Sequence, residues 1–222
     1  METSASRSRL ARATAASATG RSAALSGHGA VLLDRDGTLN ALVLDPVSGE
    51  PESPLRVEDV RLLAGAPAAV GRLVRAGFVL ACVSNQPAAA KGLVTVQELL
   101  AVHQRVLDLL AAAGVALRTS RLCLHHPLGI VPGLSGWCTC RKPAPGMLLD
   151  VAGALGIELG ASWMVGDTDA DVAAGRAAGC RTMLIEHEGS KHKRLNRMQP
   201  DFRAADLEHA VDLILGERLE TI

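Results

Sequence analysis

AVLLDRDGTLN, residues 30–40, decides the fold. A short apolar run ends in an acidic turn, the pattern of a buried strand in a parallel sheet, and Gly37 allows the sharp exit. Outward from this stretch the chain alternates strand and helix patterns. Strands are expected at FVLACVSN (78–85), at 121–124, at SWMVGD (162–167) and at RTMLIE (181–186), with helices over 62–76, 94–113, 146–155, 169–178 and 207–215. Leu62, Leu63, Ala66, Ala69, Val70 and Leu73 form the apolar face of the first helix, and Gly77, Gly114 and Gly179 stand where helix C-termini favour glycine. Thr95 followed by Glu98 has the spacing of a capping box. This alternation implies a three-layer α/β/α, Rossmann-like architecture with a parallel central sheet, whose ligands bind beyond the carboxyl ends of the strands. Polar residues collect at those ends four times: Asp34-Arg35-Asp36, Ser84-Asn85-Gln86, a Cys/His loop running to Arg141-Lys142, and Gly166-Asp167.

The rest of the composition narrows the function. The 222 residues suffice for one α/β domain with a tail, and 48% hydrophobic against 21% charged residues is a globular balance. Residues 1–29 are Ala/Ser/Arg-rich with almost no large hydrophobics, so they read as a disordered extension to a domain spanning 30–222. Equal numbers of basic and acidic residues, 23 each, and 2% aromatics argue against a nucleic-acid partner. No run approaches the roughly 18 apolar residues of a membrane span. Five cysteines, three of them in one short segment with a histidine, suggest metal binding in a reducing compartment rather than disulfides, hence a cytoplasmic protein. Cys82 and Cys180, on or beside apolar strands, read as small core residues.

Asp34 and Asp36 stand two apart just past a strand, so in extended geometry both carboxylates reach the same side. Two close carboxylates repel unless a cation or proton intervenes, and a hard divalent ion such as Mg²⁺ is the natural partner. Asp167 at another strand end offers a further oxygen ligand. Asp171, four residues on, either orients the metal shell or caps a helix, with structural support favoured over direct ligation. In the loop, Cys123-Leu-His125 and Cys138-Thr-Cys140 bring three thiolates and an imidazole together, a closed shell suited to structural Zn²⁺. His126 is an alternative imidazole ligand, with the Cys-x-His spacing favouring His125.

In order and context, DRDGTLN, Ser84, Lys142 before a helix and GDTDAD resemble the four motifs of the haloacid dehalogenase (HAD) superfamily over residues 30–190. The resemblance implies that Asp34 is the nucleophile forming an aspartyl-phosphate and that Asp36 is the general acid/base, a carboxyl tuned toward neutral pH. It implies Mg²⁺ held by the Asp34 and Asp167 side chains and the Asp36 backbone carbonyl. Ser84 would hydrogen-bond a phosphoryl oxygen, and Lys142 would offset its charge.

CLHHP, CTCRKP and DRDGTLN together resemble the D-glycero-D-manno-heptose 1,7-bisphosphate 7-phosphatase family, a zinc-containing branch without a large cap domain. That resemblance implies hydrolysis of the C7 phosphate of a small sugar bisphosphate, with Asn85, Gln86, Lys91, Arg141 and Lys142 facing the substrate and access set by residues 40–56 and the zinc loop, 123–140. The chain departs from the family pattern at Pro87-Ala88 and Lys91, where the family carries Ser-Gly and an arginine, and at Thr168, where a lysine is common. Alternatives are a histidinol-phosphate phosphatase of the same branch and, from another class, a noncatalytic zinc-stabilised binding protein. A monomer is the default expectation. Residues 186–194 read as a mobile solvated loop.

Overall fold

The computed structural model describes residues 29–195 and 197–219. The expected extension at 1–29 lies, but for Gly29, outside the described residues. Along the chain run β1 (Ala30–Leu33), β2 (Val43–Leu44), β3 (Pro51–Glu52), α1 (Ala66–Arg75), β4 (Val79–Asn85), α2 (Val96–Ala112) and β5 (Thr119–Cys123). There follow α3 (Gly146–Leu155), β6 (Trp163–Gly166), α4 (Asp169–Ala178), β7 (Arg181–Ile185), β8 (Phe202–Ala204) and α5 (Leu207–Leu219).

Six strands form one parallel sheet in the order β5-β4-β1-β6-β7-β8. β1 lies inside it, with Val31 opposite both Leu80 and Trp163, and its four residues are buried, as the apolar run requires. The pleat divides the core. Val31, Leu33, Leu80, Val165 and Met183 pack on one face against Val70 of α1, Val102 of α2 and Val211 of α5. Ala30, Leu32, Ala81, Val83 and Met164 pack on the other against Leu148 and Val151 of α3 and Ala174 of α4. Burying both faces removes strand side chains from water at roughly 25 cal/mol per Å² of apolar surface. No cap domain interrupts this core among the described residues; the stretch after β1 carries the β2–β3 hairpin and a 3₁₀ turn, Val57–Asp59, and the stretch after β5 is the Cys/His loop.

Several boundaries differ from the sequence reading. The first helix starts at Ala66 rather than 62, because Leu62 bridges Asn40 and the Leu63 amide bonds the Leu39 carbonyl, which draws both residues into the DRDGTLN turn. Gly65, at φ 74°, then turns the chain into a helix with proline in its first turn. The capping box at Thr95 forms as its spacing suggests. β8 and the hairpin were not anticipated. The segment read as a mobile solvated loop is instead a 3₁₀ helix, Glu188–Lys193, with Ser190 fully buried. Cys82 and Cys180 are core residues whose thiols burial pushes up to about 12.

Candidate active site

Because β5, β4, β1 and β6 are neighbours, the four polar strand ends meet along one edge. Asp34 leaves β1 with its amide bonded to Val165 of β6, 2.9 Å. Its carboxylate, with those of Asp167 and Asp171, forms a group whose ligand atoms lie within 4.8 Å of one another. All three residues are buried. Burial, and then the Asp171 and Asp36 charges, push the Asp34 carboxyl up to about 6 although Lys142 opposes them. Asp167 is raised well above its ordinary range by burial and by the Asp34 and Asp171 charges.

One cation already stands inside this group. The Lys142 ammonium, 3% exposed, bonds Asp34 Oδ1 at 2.9 Å, Asp171 Oδ1 at 2.5 Å and the Val83 carbonyl at 2.7 Å. Burial pulls its pKa down, but the two carboxylates outweigh that and hold it above the usual lysine value. Three carboxylates against one ammonium leave an excess of negative charge, and Asp167 Oδ1 is buried with no hydrogen-bond partner. A small divalent cation satisfies both conditions, so Asp34 and Asp167 fit an Mg²⁺ site. Asp171 is less free to serve: its Oδ1 faces Lys142, and its Oδ2 accepts from the Thr168 amide (3.1 Å) and hydroxyl (2.6 Å). Thr168 thereby opens α4.

Asp36 does not share its partners with Asp34. Arg35, completely buried, donates from Nε and Nη2 to its two carboxylate oxygens, each at 3.0 Å. Asn40 Nδ2 adds a bond to Oδ1 at 2.9 Å and Gln86 Nε2 one to Oδ2 at 2.6 Å. Gln86 Oε1 accepts from Arg35, 2.8 Å, and its Nε2 also reaches Ser84 Oγ, 3.0 Å. Burial pushes the Asp36 carboxyl up, but Arg35, Asn40 and Gln86 outweigh it and hold the pKa below its ordinary value. The expected tuning toward neutral pH therefore falls on Asp34; Asp36 is held as a carboxylate because its donors outnumber its lone charge. Beneath this network His103 of α2 is buried with neither ring nitrogen bonded, and burial, then Arg35, lowers its pKa to about 4.

Around the Cys/His loop, Cys140 Sγ lies 3.3 Å from Cys123 Sγ and from Cys138 Sγ, and 3.4 Å from His125 Nδ1. Cys123 Sγ lies 3.6 Å from Cys138 Sγ and 3.8 Å from His125 Nδ1. A tetrahedron built on Zn–S bonds of ~2.3 Å has edges of about 3.8 Å, so these donors already approximate a zinc shell. His126 points elsewhere, its Nδ1 accepting from the Leu128 amide at 3.1 Å. The Cys140 thiol is pushed above its ordinary pKa by the Cys123 thiol and by burial, a crowding that a bound cation relieves.

Known proteins resemble this chain in sequence and in fold. Residues 139–210 match the Hydrolase_like (HAD-hydrolase-like) family model. The chain is 38% identical over 196 residues, 83% of its length and 94% of the relative's, to D-glycero-D-manno-heptose-1,7-bisphosphate 7-phosphatase of Thermosynechococcus vestitus. The chain belongs to that phosphatase family. It is also 36% identical to the D-glycero-beta-D-manno-heptose-1,7-bisphosphate 7-phosphatase of Yersinia pestis, over 72% of this chain and 81% of the relative. Among solved structures, the D,D-heptose 1,7-bisphosphate phosphatase of B. bronchiseptica, complexed with magnesium and phosphate, superposes with a TM-score of 0.72. That neighbour is 27% identical, and the alignment covers 85% of this chain and 99% of the other.

Relative to this heptose bisphosphate phosphatase family, the departures lie in defined places. Pro87-Ala88 opens a tight turn in which the Leu93 amide bonds Ala88, and Ala90 beside it accepts from Ile130 and Val131 of the zinc loop. Lys91 at the end of that turn is exposed. Asn85 gives both ends of its amide to the Lys142 backbone, donating to its carbonyl at 2.9 Å and accepting from its amide at 3.0 Å. Arg141 is part-buried, with Nη1 donating to the His125 carbonyl at 3.3 Å.

The sequence reading passed over three residues of this site. Arg35 was named only among the polar residues at the end of the first strand, yet it clamps Asp36. Ser190 donates its hydroxyl to Asp167 Oδ2. Arg194 Nη1 bonds the Asp167 carbonyl (3.2 Å) and the His187 carbonyl (2.8 Å). No local pattern announces the last two, since their partner stands more than twenty residues upstream.

Proposed function

We propose that this chain hydrolyses the C7 phosphate of D-glycero-D-manno-heptose 1,7-bisphosphate to the 1-phosphate, using Mg²⁺ and an aspartyl-phosphate on Asp34. The observation that carries the proposal is the buried Asp34–Asp167–Asp171 group around Lys142, set at the strand ends beside a Cys₃His cluster. The relatives from Thermosynechococcus vestitus and Yersinia pestis carry this substrate in their names, and the B. bronchiseptica neighbour holds magnesium and phosphate.

Asp34, Asp167 and the Asp36 backbone carbonyl are the residues to hold Mg²⁺; when bound, the ion neutralises charge on the phosphoryl oxygens and orients them. Asp34 attacks phosphorus with its free carboxylate oxygen. Lys142 offsets charge on the transferring group, and Ser84 donates to one of its oxygens. Asp36 protonates the departing sugar oxygen and then takes a proton from the attacking water. An arriving phosphate dianion adds negative charge beside Asp36, which raises its proton affinity from the depressed value that Arg35 imposes. Asn85 and Gln86 act on the substrate through the Lys142 backbone and the Ser84–Asp36 pair that they hold. Arg141 and Lys91 supply positive charge for the second phosphate. Zn²⁺ on Cys123, His125, Cys138 and Cys140 fixes the loop that ends in Arg141-Lys142. Thiolate zinc ligands suit a reducing, cytoplasmic setting, and no helix among the described residues is long and apolar enough to cross a membrane.

The test is phosphate release with Mg²⁺ from both anomers of the heptose 1,7-bisphosphate, histidinol phosphate and a simple phosphate ester. A kcat/KM for one heptose anomer about a hundredfold above the others, roughly 2.7 kcal/mol of discrimination, is expected. Preference for histidinol phosphate overturns the substrate, and inactivity on the whole panel overturns the reaction.

A further inference from the structure

Ser190 lies on the 3₁₀ helix that follows β7 and is fully buried. Its hydroxyl donates to Asp167 Oδ2, whereas Asp167 Oδ1 is buried with no hydrogen-bond partner, and the same carboxylate belongs to the group formed with Asp34 and Asp171. A carboxylate left to itself presents either oxygen, or both, to a cation; a donor fixed on one oxygen leaves the other to ligate and sets the plane of the group. We infer that Ser190 is the positioning residue that makes Asp167 a single-oxygen metal ligand of fixed orientation.

The surroundings of Ser190 hold it in place for this. Arg194 ties the segment to the Asp167 carbonyl and to His187. Asp169 Oδ2 accepts from the Leu195 and Arg197 amides, at 2.9 Å and 3.2 Å. On the far side Lys193 Nζ pairs with Glu52 of the hairpin at 2.6 Å, and His192 lies 3.5 Å from Glu50. Gly37, at φ 78°, completes the enclosure: a Cβ there would strike both the Asp167 carboxylate and the Ser190 hydroxyl. Thus the turn after β1, the end of β6 and the segment after β7 close on one carboxylate.

The inference rests on the metal site of the proposed function, and its test separates the two. Mn²⁺ binding to the full-length, zinc-loaded protein is titrated by electron paramagnetic resonance without substrate, for wild type, S190A and S190T. Removing such a partner typically costs ten- to a hundredfold in metal affinity, so S190A is expected to raise the Mn²⁺ Kd about tenfold. S190T, which keeps the hydroxyl, stays within about threefold of wild type, and the melting temperatures of zinc-loaded wild type and S190A without Mn²⁺ agree within a few degrees. A Kd for S190A within twofold of wild type overturns the inference, as does an equal loss in S190T, which assigns the effect to packing. No Mn²⁺ binding by the wild type overturns the metal site itself.

Discussion

Lowering the pH from 7 to 5 is expected to weaken Mg²⁺ binding about tenfold. The Asp34 carboxyl is raised to about 6, by burial first and by the neighbouring carboxylates second. Mg²⁺ binds only the ionised form, so at pH 7 it displaces almost no proton. At pH 5 about nine in ten Asp34 groups carry one, each bound ion must expel it, and affinity drops by about a factor of ten, or ~1.4 kcal/mol. Asp167 is shifted in the same direction, mainly by burial, and steepens the dependence. The sign is the opposite of a salt-bridged carboxylate's: without Mg²⁺ these groups favour the fold below their unfolded pKa and lose that contribution as pH rises through the folded value. The assay is the rise in melting temperature with added MgCl₂ at pH 5, 6 and 7, with zinc content checked at each pH, since ligand binding stabilises by RT ln(1 + [L]/Kd). An Mg²⁺ Kd that is the same within twofold at pH 5 and 7 would show that Asp34 is not a raised carboxyl competing with the metal.

Lys142→Met is expected to lower kcat/KM by about 10²–10³, the usual loss for an oriented donor at developing charge; a loss under fivefold would remove Lys142 from the site, provided the variant stays folded by circular dichroism. Cys138→Ser should lower zinc content and melting temperature together, and full zinc by elemental analysis would contradict the shell described. His103→Leu should flatten the acid limb of stability. The buried imidazole, with its pKa lowered to about 4, contributes stability above its unfolded pKa that is lost as pH falls from about 6.5 toward 4, worth about 3 kcal/mol at most. Urea unfolding of both proteins at pH 7 and 4.5 measures this, and equal losses in the two would exclude the histidine as the cause.

The parallel sheet was legible because β1, β4 and β6 are short apolar runs ending in polar residues, a pattern that local sequence alone sets. Asp34, Asp167 and the Cys₃His shell were legible for the same reason: each stands at a strand end or in a close pair. What escaped was what depends on distant parts of the chain. Arg35 is charged, and its complete burial is intelligible only once Gln86 and Asn40 have come to lie around the same carboxylate. Residues 188–193 are too polar to suggest burial, and Ser190 is buried because β7 delivers it beside the end of β6. The Asp36 tuning was misjudged because two aspartates two residues apart look alike in sequence. Their difference lies in the partner sets, an ammonium shared with Asp171 for one and a private guanidinium for the other.

Only Arg141 separates the last residue of the Cys₃His cluster, Cys140, from Lys142, whose backbone is in turn clasped by Asn85. The chain is therefore rigid in its bookkeeping there: one residue added or lost between Cys140 and Lys142 moves the ammonium off Asp34. Between His125 and Cys138 the situation is reversed, because the ends belong to the Cys₃His cluster while Gly133 and Gly136 occupy open turns and Leu128 and Trp137 face solvent. Length variation among related sequences should accordingly be concentrated in residues 127–136 and absent from 140–142, which makes the loop a place where new substrate contacts can be tried without disturbing the reacting carboxylate.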